Sequence, residues 1–202
     1  MKNKNKTYSK KEEKPVATIL ILVAIILGIV GLDQLSKWIV LENLSLGSSY
    51  EWIRNVIHFT YVQNKGAAFG ILSNHRWVFL VFSSIAIVAI GVYLFRFCKQ
   101  NWAVKISLAF LIGGGIGNMI DRIAFGYVVD FIEWPWLWLP ILDMEFPIFN
   151  IADSFVTVGV VVLAVALIRD IVLEEKKKEK APAASAPEGE KPEGEEEKDD
   201  HE

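Results

Sequence analysis

Four long apolar segments restrict this chain to architectures that can cross a lipid bilayer. They cover residues 16–32, 77–95, about 103–120 and about 148–168. A helix needs roughly 20 mostly apolar residues to span the hydrocarbon core, or somewhat fewer when its flanks extend it. The chain is 52% hydrophobic, which is too apolar for an ordinary soluble domain of 202 residues. We therefore predict an α-helical membrane protein with four transmembrane helices.

The positions of the basic residues predict how these spans are oriented. Lysines precede the first span, basic residues lie between the second and third, and further basic residues follow the fourth. With four spans, all three groups lie on one side of the membrane, which the positive-inside bias identifies as the cytoplasm. Both termini are then cytoplasmic, and the loops 33–76 and 121–147 face outward.

The ends of the chain differ in composition from the middle. We interpret residues 1–15 as a basic cytoplasmic segment, 16–170 as the four-span domain, and 174–202 as a disordered, charged cytoplasmic tail. The first span is longer than the apolar core of a secretory signal and has no small-x-small cleavage site after it, so we expect it to be retained. The single cysteine, Cys98, permits no internal disulfide and is predicted to be an ordinary loop thiol.

The first outer loop predicts a small extracytoplasmic β-sheet between helices 1 and 2. Residues 50–62 are rich in β-branched and aromatic side chains that partly alternate with polar ones. The sequence NKGAAFG at 64–70 follows, with Gly66 and two alanines that allow a close backbone approach. This motif fits a turn before the next helix, or a strand edge that hydrogen-bonds an extended peptide.

Two further segments have the composition of membrane-interface and packing elements. The link 133–147 carries three tryptophans and three prolines, which exclude a regular helix and suit a loop in the headgroup region or a lid over a site. The sequence GGGIGN at 113–118 permits close approach of neighbouring helices.

Carboxylates at the outer ends of the spans are the main candidates for function. Asp130 lies among large apolar residues and Asp153 lies inside the fourth apolar segment, where an ionisable group is costly. Asn150 precedes Asp153 by one helical turn and could orient it. A structural alternative pairs Asp130 with a nearby cation such as Arg122. Asp33 and Lys37, four residues apart, fit an interfacial ion pair or a part of the same site.

The pattern of polar residues argues against several classes of protein. No carboxylate lies in the cytoplasmic half of a span, which disfavours a proton-coupled transporter. The three histidines lack metal-ligand spacing, and no serine stands in a recognisable nucleophile motif. Two aspartates that share a proton can hydrolyse an amide without a metal or cofactor. A small transporter and a non-catalytic binder of lipidated or signal-like peptides remain as rival interpretations.

Four motifs in order resemble those of the bacterial prolipoprotein signal peptidases, also called signal peptidase II. They are DQLSK at 33–37, NKGAAFG at 64–70, GNMIDRIAFGYVVDFI at 117–132 and FNIADS at 149–154. The resemblance covers about residues 16–170. It implies a membrane aspartyl endopeptidase that removes the signal peptide from diacylglyceryl-modified prolipoproteins by cutting before the lipidated cysteine.

The resemblance also implies roles for individual residues. The catalytic pair falls on Asp130 and Asp153. Residues that bind substrate or support the site fall on Asp33, Lys37, Asn64, Gly66, Asn118, Arg122, Asn150 and Ala152. The sheet, at about 51–69, would cradle the substrate. Asp121, beside Arg122, is expected to form a structural ion pair rather than to act as a third catalytic acid.

Further expectations concern partners and location. We expect no metal, no cofactor and no nucleic acid. The expected partners are prolipoprotein substrates and membrane lipids, and the protein is expected to act as a monomer in the bacterial cytoplasmic membrane, with its site at the extracytoplasmic face. Replacing Lys37 with alanine is expected to impair substrate positioning more than folding.

Overall fold

Four helices and two small antiparallel sheets make up the described part of the chain. The computed structural model describes residues 15–66, 76–97, 101–140 and 143–180. In chain order the elements are α1 (Pro15–Asn43), β1 (Ser49–Ile53), β2 (Ile57–Asn64), α2 (Arg76–Val92), α3 (Trp102–Ala124), β3 (Val128–Glu133), β4 (Trp138–Leu139), β5 (Met144–Glu145) and α4 (Ile151–Lys180). A π-helical turn, Tyr93–Phe97, continues α2.

All four helices have the length and composition needed to cross a membrane. Many of their large apolar side chains are exposed, for example Leu27, Phe82, Ile85 and Val165. Exposed apolar surface of this extent is not stable in water and is suited to contact with lipid. The fold confirms the predicted class, a multi-pass α-helical membrane protein with a small sheet.

The first helix extends eleven residues past its predicted end at 32 and finishes at Asn43. The prediction ended the span where charged residues began. In the structure Asp33 and Lys37 form an ion pair one turn apart, and both side chains are almost fully buried. Because the pair is buried between helices, the helix continues past the end of the apolar run.

Glycines on α3 allow the helices to approach closely, as the GGGIGN motif predicted. A Cβ at Gly114 would lie 2.5 Å from the carbonyl oxygen of Ala152, and a Cβ at Gly117 would lie 2.5 Å from Asp33 Oδ2. Neither position therefore accepts a larger residue without a shift of its neighbour. Elsewhere between the helices, buried side chains form an apolar core that includes Leu22, Val104, Leu108 and Ile112.

The larger sheet has the antiparallel order β1-β2-β3. Its first two strands lie between α1 and α2 as predicted, whereas its third strand follows α3 and was not predicted. From sequence alone, the apolar run around Asp130 predicts a site and not a strand. Pairing of β2 with β3 sets Val62 opposite Asp130 and Asn64 opposite Val128. Residues 67–69 of the predicted cradle lie outside the described residues.

The tryptophan-rich link contains a short hairpin and an aromatic cluster. Strands β4 and β5 pair with each other. The rings of Trp134, Phe146 and Phe149 lie with centroids 4.9 to 5.8 Å apart. The backbone amide of Ile132 donates to the carbonyl oxygen of Phe149 at 2.7 Å, which ties the end of the link to β3.

The fourth helix begins at Ile151 rather than 148 and continues to Lys180. The chain divides into two units between Ala166 and Leu167, somewhat before the predicted domain end at 170. In the second unit the described residues, 167–180, are helical, and this range includes residues 174–180 of the tail predicted at 174–202. Residues 181–202 lie outside the described part of the chain, as do Cys98 and residues 1–14 of the predicted basic segment 1–15.

Candidate active site

The start of α4 is built around Asn150 and Asp153. Asn150 Oδ1 accepts the backbone N–H of Asp153 at 2.9 Å, and Asp153 Oδ2 accepts the backbone N–H of Asn150 at 3.2 Å. This reciprocal arrangement is a capping box, in which two otherwise unpaired N–H groups of the first turn are satisfied. It fixes Asp153 at the positive end of the helix dipole, where a carboxylate is favoured.

Asp130 lies on β3, and its two oxygens accept hydrogen bonds from two asparagine amides. Asn150 Nδ2 donates to Asp130 Oδ1 at 2.7 Å, and Asn64 Nδ2 donates to Asp130 Oδ2 at 2.9 Å. Asn64 is in turn oriented by its own Oδ1, which accepts the backbone N–H of Gly66 at 3.0 Å. Asn64 and Asn150 therefore hold Asp130 from β2 and from the start of α4.

Asn118 on α3 connects the two carboxylates to a buried cation. Its Nδ2 donates to Asp153 Oδ1 at 2.7 Å. Its Oδ1 accepts from Asn150 Nδ2 at 3.0 Å and from Lys37 Nζ at 3.0 Å. An ammonium group can only donate, so the orientation of the Asn118 amide follows from the contact with Lys37.

Lys37 is almost fully buried between two carboxylates. Its ammonium lies 2.8 Å from Asp33 Oδ2 and 2.8 Å from Asp121 Oδ2. Asp33 Oδ1 also accepts the backbone N–H of Ala152 at 2.9 Å, which anchors the first turn of α4 to α1. The small side chain of Ala152 is fully buried against this contact.

Asp121 is fully buried and its oxygens are occupied by structural contacts. Besides Lys37, it accepts the backbone N–H of Val129 at 3.0 Å and Gln34 Nε2 at 3.0 Å. The expectation from sequence was an ion pair, and the partner that the structure gives it is Lys37 rather than the adjacent Arg122. Asp121 thus joins α1, α3 and β3.

A cavity of about 540 Å³ lies next to Asp130 and Asp153. Polar groups line one part and apolar side chains the rest. The lining residues are Asn64, Gly66, Arg122, Asp130, Trp134, Leu139, Phe146, Pro147, Ile148, Phe149, Asp153, Ser154, Thr157 and Val158. Asp130 and Asp153 therefore reach the same space. Of the other candidates, Asn64, Gly66 and Arg122 also line it, whereas Asp33, Lys37, Asn118, Asn150 and Ala152 lie behind it.

Arg122 contributes a cation to the wall of the cavity. Its Nη1 donates to the carbonyl oxygen of Asn118 at 3.4 Å, and its guanidinium carbon lies 5.1 Å from the ring centroid of Phe79. A guanidinium has five N–H donors, so Arg122 has donors beyond the one that contacts Asn118. Arg122 is thus suited to meet a polar group that enters the cavity.

Burial and charge shift the proton equilibrium of Asp130. Loss of hydration and the neighbouring Asp153 charge raise the pKa of Asp130 from 3.8 to about 7, against the opposing effect of the amide hydrogen bonds and Lys37. Close to neutral pH the carboxyl group can therefore give up or take up a proton. A side chain of this kind is suited to general acid–base chemistry.

Some residues of the site were not identified from the sequence. Gln34 donates to Asp33 Oδ2 at 3.2 Å and to Asp121 Oδ1, so that it supports both buried acids. Its place inside the DQLSK motif was the only signal for it. The lining residues Ser154, Thr157 and Val158 follow Asp153 along α4, and helical spacing from Asp153 would have pointed to Thr157.

Sequence comparisons place the chain among known proteins. A family model described as signal peptidase (SPase) II matches residues 25–169. A curated protein named lipoprotein signal peptidase, from Halalkalibacterium halodurans, is 41% identical over 162 residues, which cover 80% of this chain and 99% of that protein.

Comparison with solved structures gives the same architecture. Two structures described as a bacterial membrane enzyme, obtained by the in meso method, are each 35% identical to this chain. The structure at 2.3 Å resolution superposes with a TM-score of 0.69 and covers 76% of this chain and 90% of its own. The structure at 1.9 Å has a TM-score of 0.66 and covers 75% and 95%.

Proposed function

Because the chain belongs to the signal peptidase II family of aspartic membrane peptidases, we propose that Asp130 and Asp153 are its catalytic residues. The activity is removal of the signal peptide from prolipoproteins. The proposed substrate carries a diacylglyceryl group on a cysteine, and the bond that is cut is the peptide bond immediately before that cysteine.

The observation that carries this proposal is that two carboxylates from different elements line one cavity. Asp130 comes from β3 and Asp153 from the first turn of α4, and Asn150 hydrogen-bonds to both. Two acids so close in a poorly hydrated site cannot both ionise cheaply. The pKa of Asp130, raised to about 7 partly by the Asp153 charge, agrees with a pair that holds one proton at neutral pH.

Such a pair hydrolyses an amide by moving protons between water and the leaving amine. The ionised carboxylate takes a proton from water as the water oxygen attacks the peptide carbonyl carbon. The protonated carboxyl donates its hydrogen to the carbonyl oxygen, which gives a neutral tetrahedral diol. When the C–N bond breaks, the amine nitrogen receives a proton from one acid, and the other acid recovers a proton from the diol.

The remaining walls of the cavity suit a lipid-modified substrate. Leu139, Phe146, Ile148 and Val158 provide an apolar wall, and Arg122 provides a cation near the two acids. Acyl chains gain from contact with apolar surface, while the peptide bond must meet water and the acids. We infer that the aromatic cluster of the link covers the bound substrate, and that membrane lipids contact the exposed apolar faces of the helices.

The site is proposed to face outward, and the protein to act as a monomer. Basic residues between α2 and α3 and around the termini favour a cytoplasmic position for those segments. The loops that carry the sheet and Asp130 are then extracytoplasmic. Both acids and the asparagines that hydrogen-bond to them belong to one copy of the chain, so the proposed catalytic pair is held without a residue from a second copy.

The test is cleavage of a diacylglyceryl-modified prolipoprotein by the purified protein in detergent. Wild type is compared with Asp130→Asn and with Asp153→Asn, which keep the side-chain shape and remove the proton chemistry. We expect each variant to be folded and to lose about 10²-fold to 10⁴-fold in kcat, because general acid–base catalysis contributes on that scale. Mass spectrometry of the product reports whether the cut precedes the lipidated cysteine.

Asp143→Asn is the matched control, since it removes an exposed carboxylate of the same extramembrane region and is expected to retain activity. If both folded active-site variants still cut at the wild-type rate, the catalytic groups lie elsewhere. A product that retains residues before the cysteine would overturn the assigned cleavage position.

A further inference from the structure

We propose that Lys37 is a positioning residue that acts through Asn118 to keep Asp153 as the ionised member of the pair, leaving the proton on Asp130. The inference rests on the proposed catalytic pair and assigns the two acids different roles. Asp153 would take the proton from the attacking water, and Asp130 would donate to the peptide carbonyl oxygen.

The first observation is the direction of the hydrogen bonds that reach Asp153. Lys37 Nζ donates to Asn118 Oδ1 at 3.0 Å, so the opposite side of the amide, Nδ2, must face Asp153 Oδ1, which it contacts at 2.7 Å. A cation bound to the oxygen of an amide polarises it and strengthens donation from its nitrogen. Asp153 therefore receives a hydrogen bond reinforced by a buried charge.

The second observation is that the two acids lie on different kinds of secondary structure. Asp153 lies in the first turn of α4, where its Oδ2 accepts the Asn150 backbone N–H and the helix dipole favours an anion. Asp130 lies on the β-strand Val128–Glu133, among the buried residues Val128, Val129 and Phe131, rather than in the first turn of a helix. Its two donors are neutral side-chain amides.

A protonated carboxyl can still accept hydrogen bonds from both amides that contact Asp130. Each oxygen has two lone-pair positions, so the oxygen that carries the proton can accept an N–H and donate its own hydrogen into the cavity. Asp153 also accepts one N–H at each oxygen, but one of its donors is the amide that Lys37 polarises and the other is a backbone N–H at the start of α4, and both favour the ionised form.

Several charged groups surround the pair and enter the argument. They are Asp33 and Lys37 on α1, Asp121 and Arg122 on α3, Asp130 on β3 and Asp153 on α4. Asp33 and Asp121 offset the charge of Lys37 at close range, and Lys37 also acts on Asp130 through space. The contact with Asn118 adds an effect that reaches Asp153 and not Asp130, because Asn118 donates to Asp153 alone of the two. Arg122 lines the cavity and favours an anion there, whichever acid carries it.

The readout is the dependence of kcat/KM on pH for cleavage of the lipidated prolipoprotein. Activity requires Asp153 ionised and Asp130 protonated, so it rises with pH on the acidic limb as Asp153 ionises and falls on the alkaline limb as Asp130 ionises. In Lys37→Met the acidic limb is expected to move up by about one pH unit, since Asn118 loses the cation that strengthens its donation.

Gln34→Met is the matched control. Gln34 hydrogen-bonds to the same buried acids, Asp33 and Asp121, but makes no hydrogen bond to Asn118. We expect this variant to lower the melting temperature and to leave both limbs of the profile in place. Loss of stability alone is thereby separated from the loss of positioning.

A second variant covers the case in which Lys37→Met does not fold. Asp121→Asn with Lys37→Met removes the cation together with one of its acids and keeps the net charge of the cluster. This double variant is compared with Asp121→Asn alone, and the acidic limb of the double variant is expected at a higher pH than that of the single variant. An unchanged acidic limb in a folded Lys37 variant overturns the inference, while inactive Asp130→Asn and Asp153→Asn leave the proposed function standing.

Discussion

At the scale of single residues, the raised pKa of Asp130 links catalysis to stability. An acid with a pKa of 3.8 when unfolded and about 7 when folded holds its proton more tightly in the folded state. Its contribution to stability is fully present below about pH 4 and is lost as the pH rises through 7. Above pH 7 the free energy of unfolding is lower by on the order of 4 kcal/mol than it would be with an unshifted pKa.

Asp130→Asn should remove this dependence. We expect the melting temperature of the variant, measured in detergent from pH 4.5 to 8.5, to rise relative to that of wild type as the pH increases. The slope of the difference is the readout, because the new amide also alters contacts with Asn64 and changes the absolute level. A difference that stays constant across the range would show that Asp130 does not titrate there.

Residue types and order predicted the candidates of this site and two local contacts, Asp33 with Lys37 and Asn150 with Asp153, but not the contacts between distant segments. Asp130 and Asp153 were recognisable because a charge inside an apolar segment is costly. The contact of Lys37 with Asn118 joins residues 81 positions apart, and no local pattern predicts it. The expectation that Lys37→Ala disturbs substrate positioning more than folding stays a prediction, and Lys37 is only 2% exposed. A cation held between two buried acids argues for loss of stability as well.

At the scale of elements, the apolar segments predicted the number of helices but not their ends. The extension of α1 to Asn43 depends on the Asp33–Lys37 pair being buried, which only the packed structure shows. Strand β3 was missed because its apolar residues face buried surfaces, so it lacks the alternation that marks a half-exposed strand. Both cases depend on contacts between distant segments.

The close packing of α3 against the start of α4 supplies a test at this scale. In Gly114→Ala the new methyl group would lie 2.5 Å from the carbonyl oxygen of Ala152, and 2.7 Å from Val156 Cγ2. The two helices must then separate, at a cost of about 1–3 kcal/mol. Because Asn118 reaches Asp153 across the same interface, we expect activity per folded molecule to fall together with the melting temperature.

Gly31→Ala is the control for this substitution. Gly31 also lies within a helix, but a Cβ there meets nothing within 4 Å. The change should leave activity intact and, since alanine is the better helix former, should not lower stability. Equal melting temperatures and activities for the two alanine variants would mean that the α3–α4 contact tolerates a methyl group.

At the scale of the whole molecule, the proposed orientation accounts for how one protein meets both a lipid and water. The sheet and the link carry Asp130 and the aromatic wall of the cavity, while the helices present exposed apolar side chains. A site at the outer edge of the hydrocarbon region gives acyl chains an apolar environment and gives the peptide bond access to water.

Labelling of single cysteines in intact cells tests this orientation. Cys98 lies in the segment between α2 and α3, and Leu46, an exposed residue before β1, can be changed to cysteine in a Cys98→Ser background. A membrane-impermeant maleimide should label Leu46→Cys in intact cells and Cys98 only after the membrane is opened. The reverse pattern would put the cavity on the cytoplasmic side and the basic residues between α2 and α3 on the outer side, against the positive-inside bias. Such a result would leave the geometry of Asp130 and Asp153 unchanged but would require the substrate to reach them from the inner leaflet.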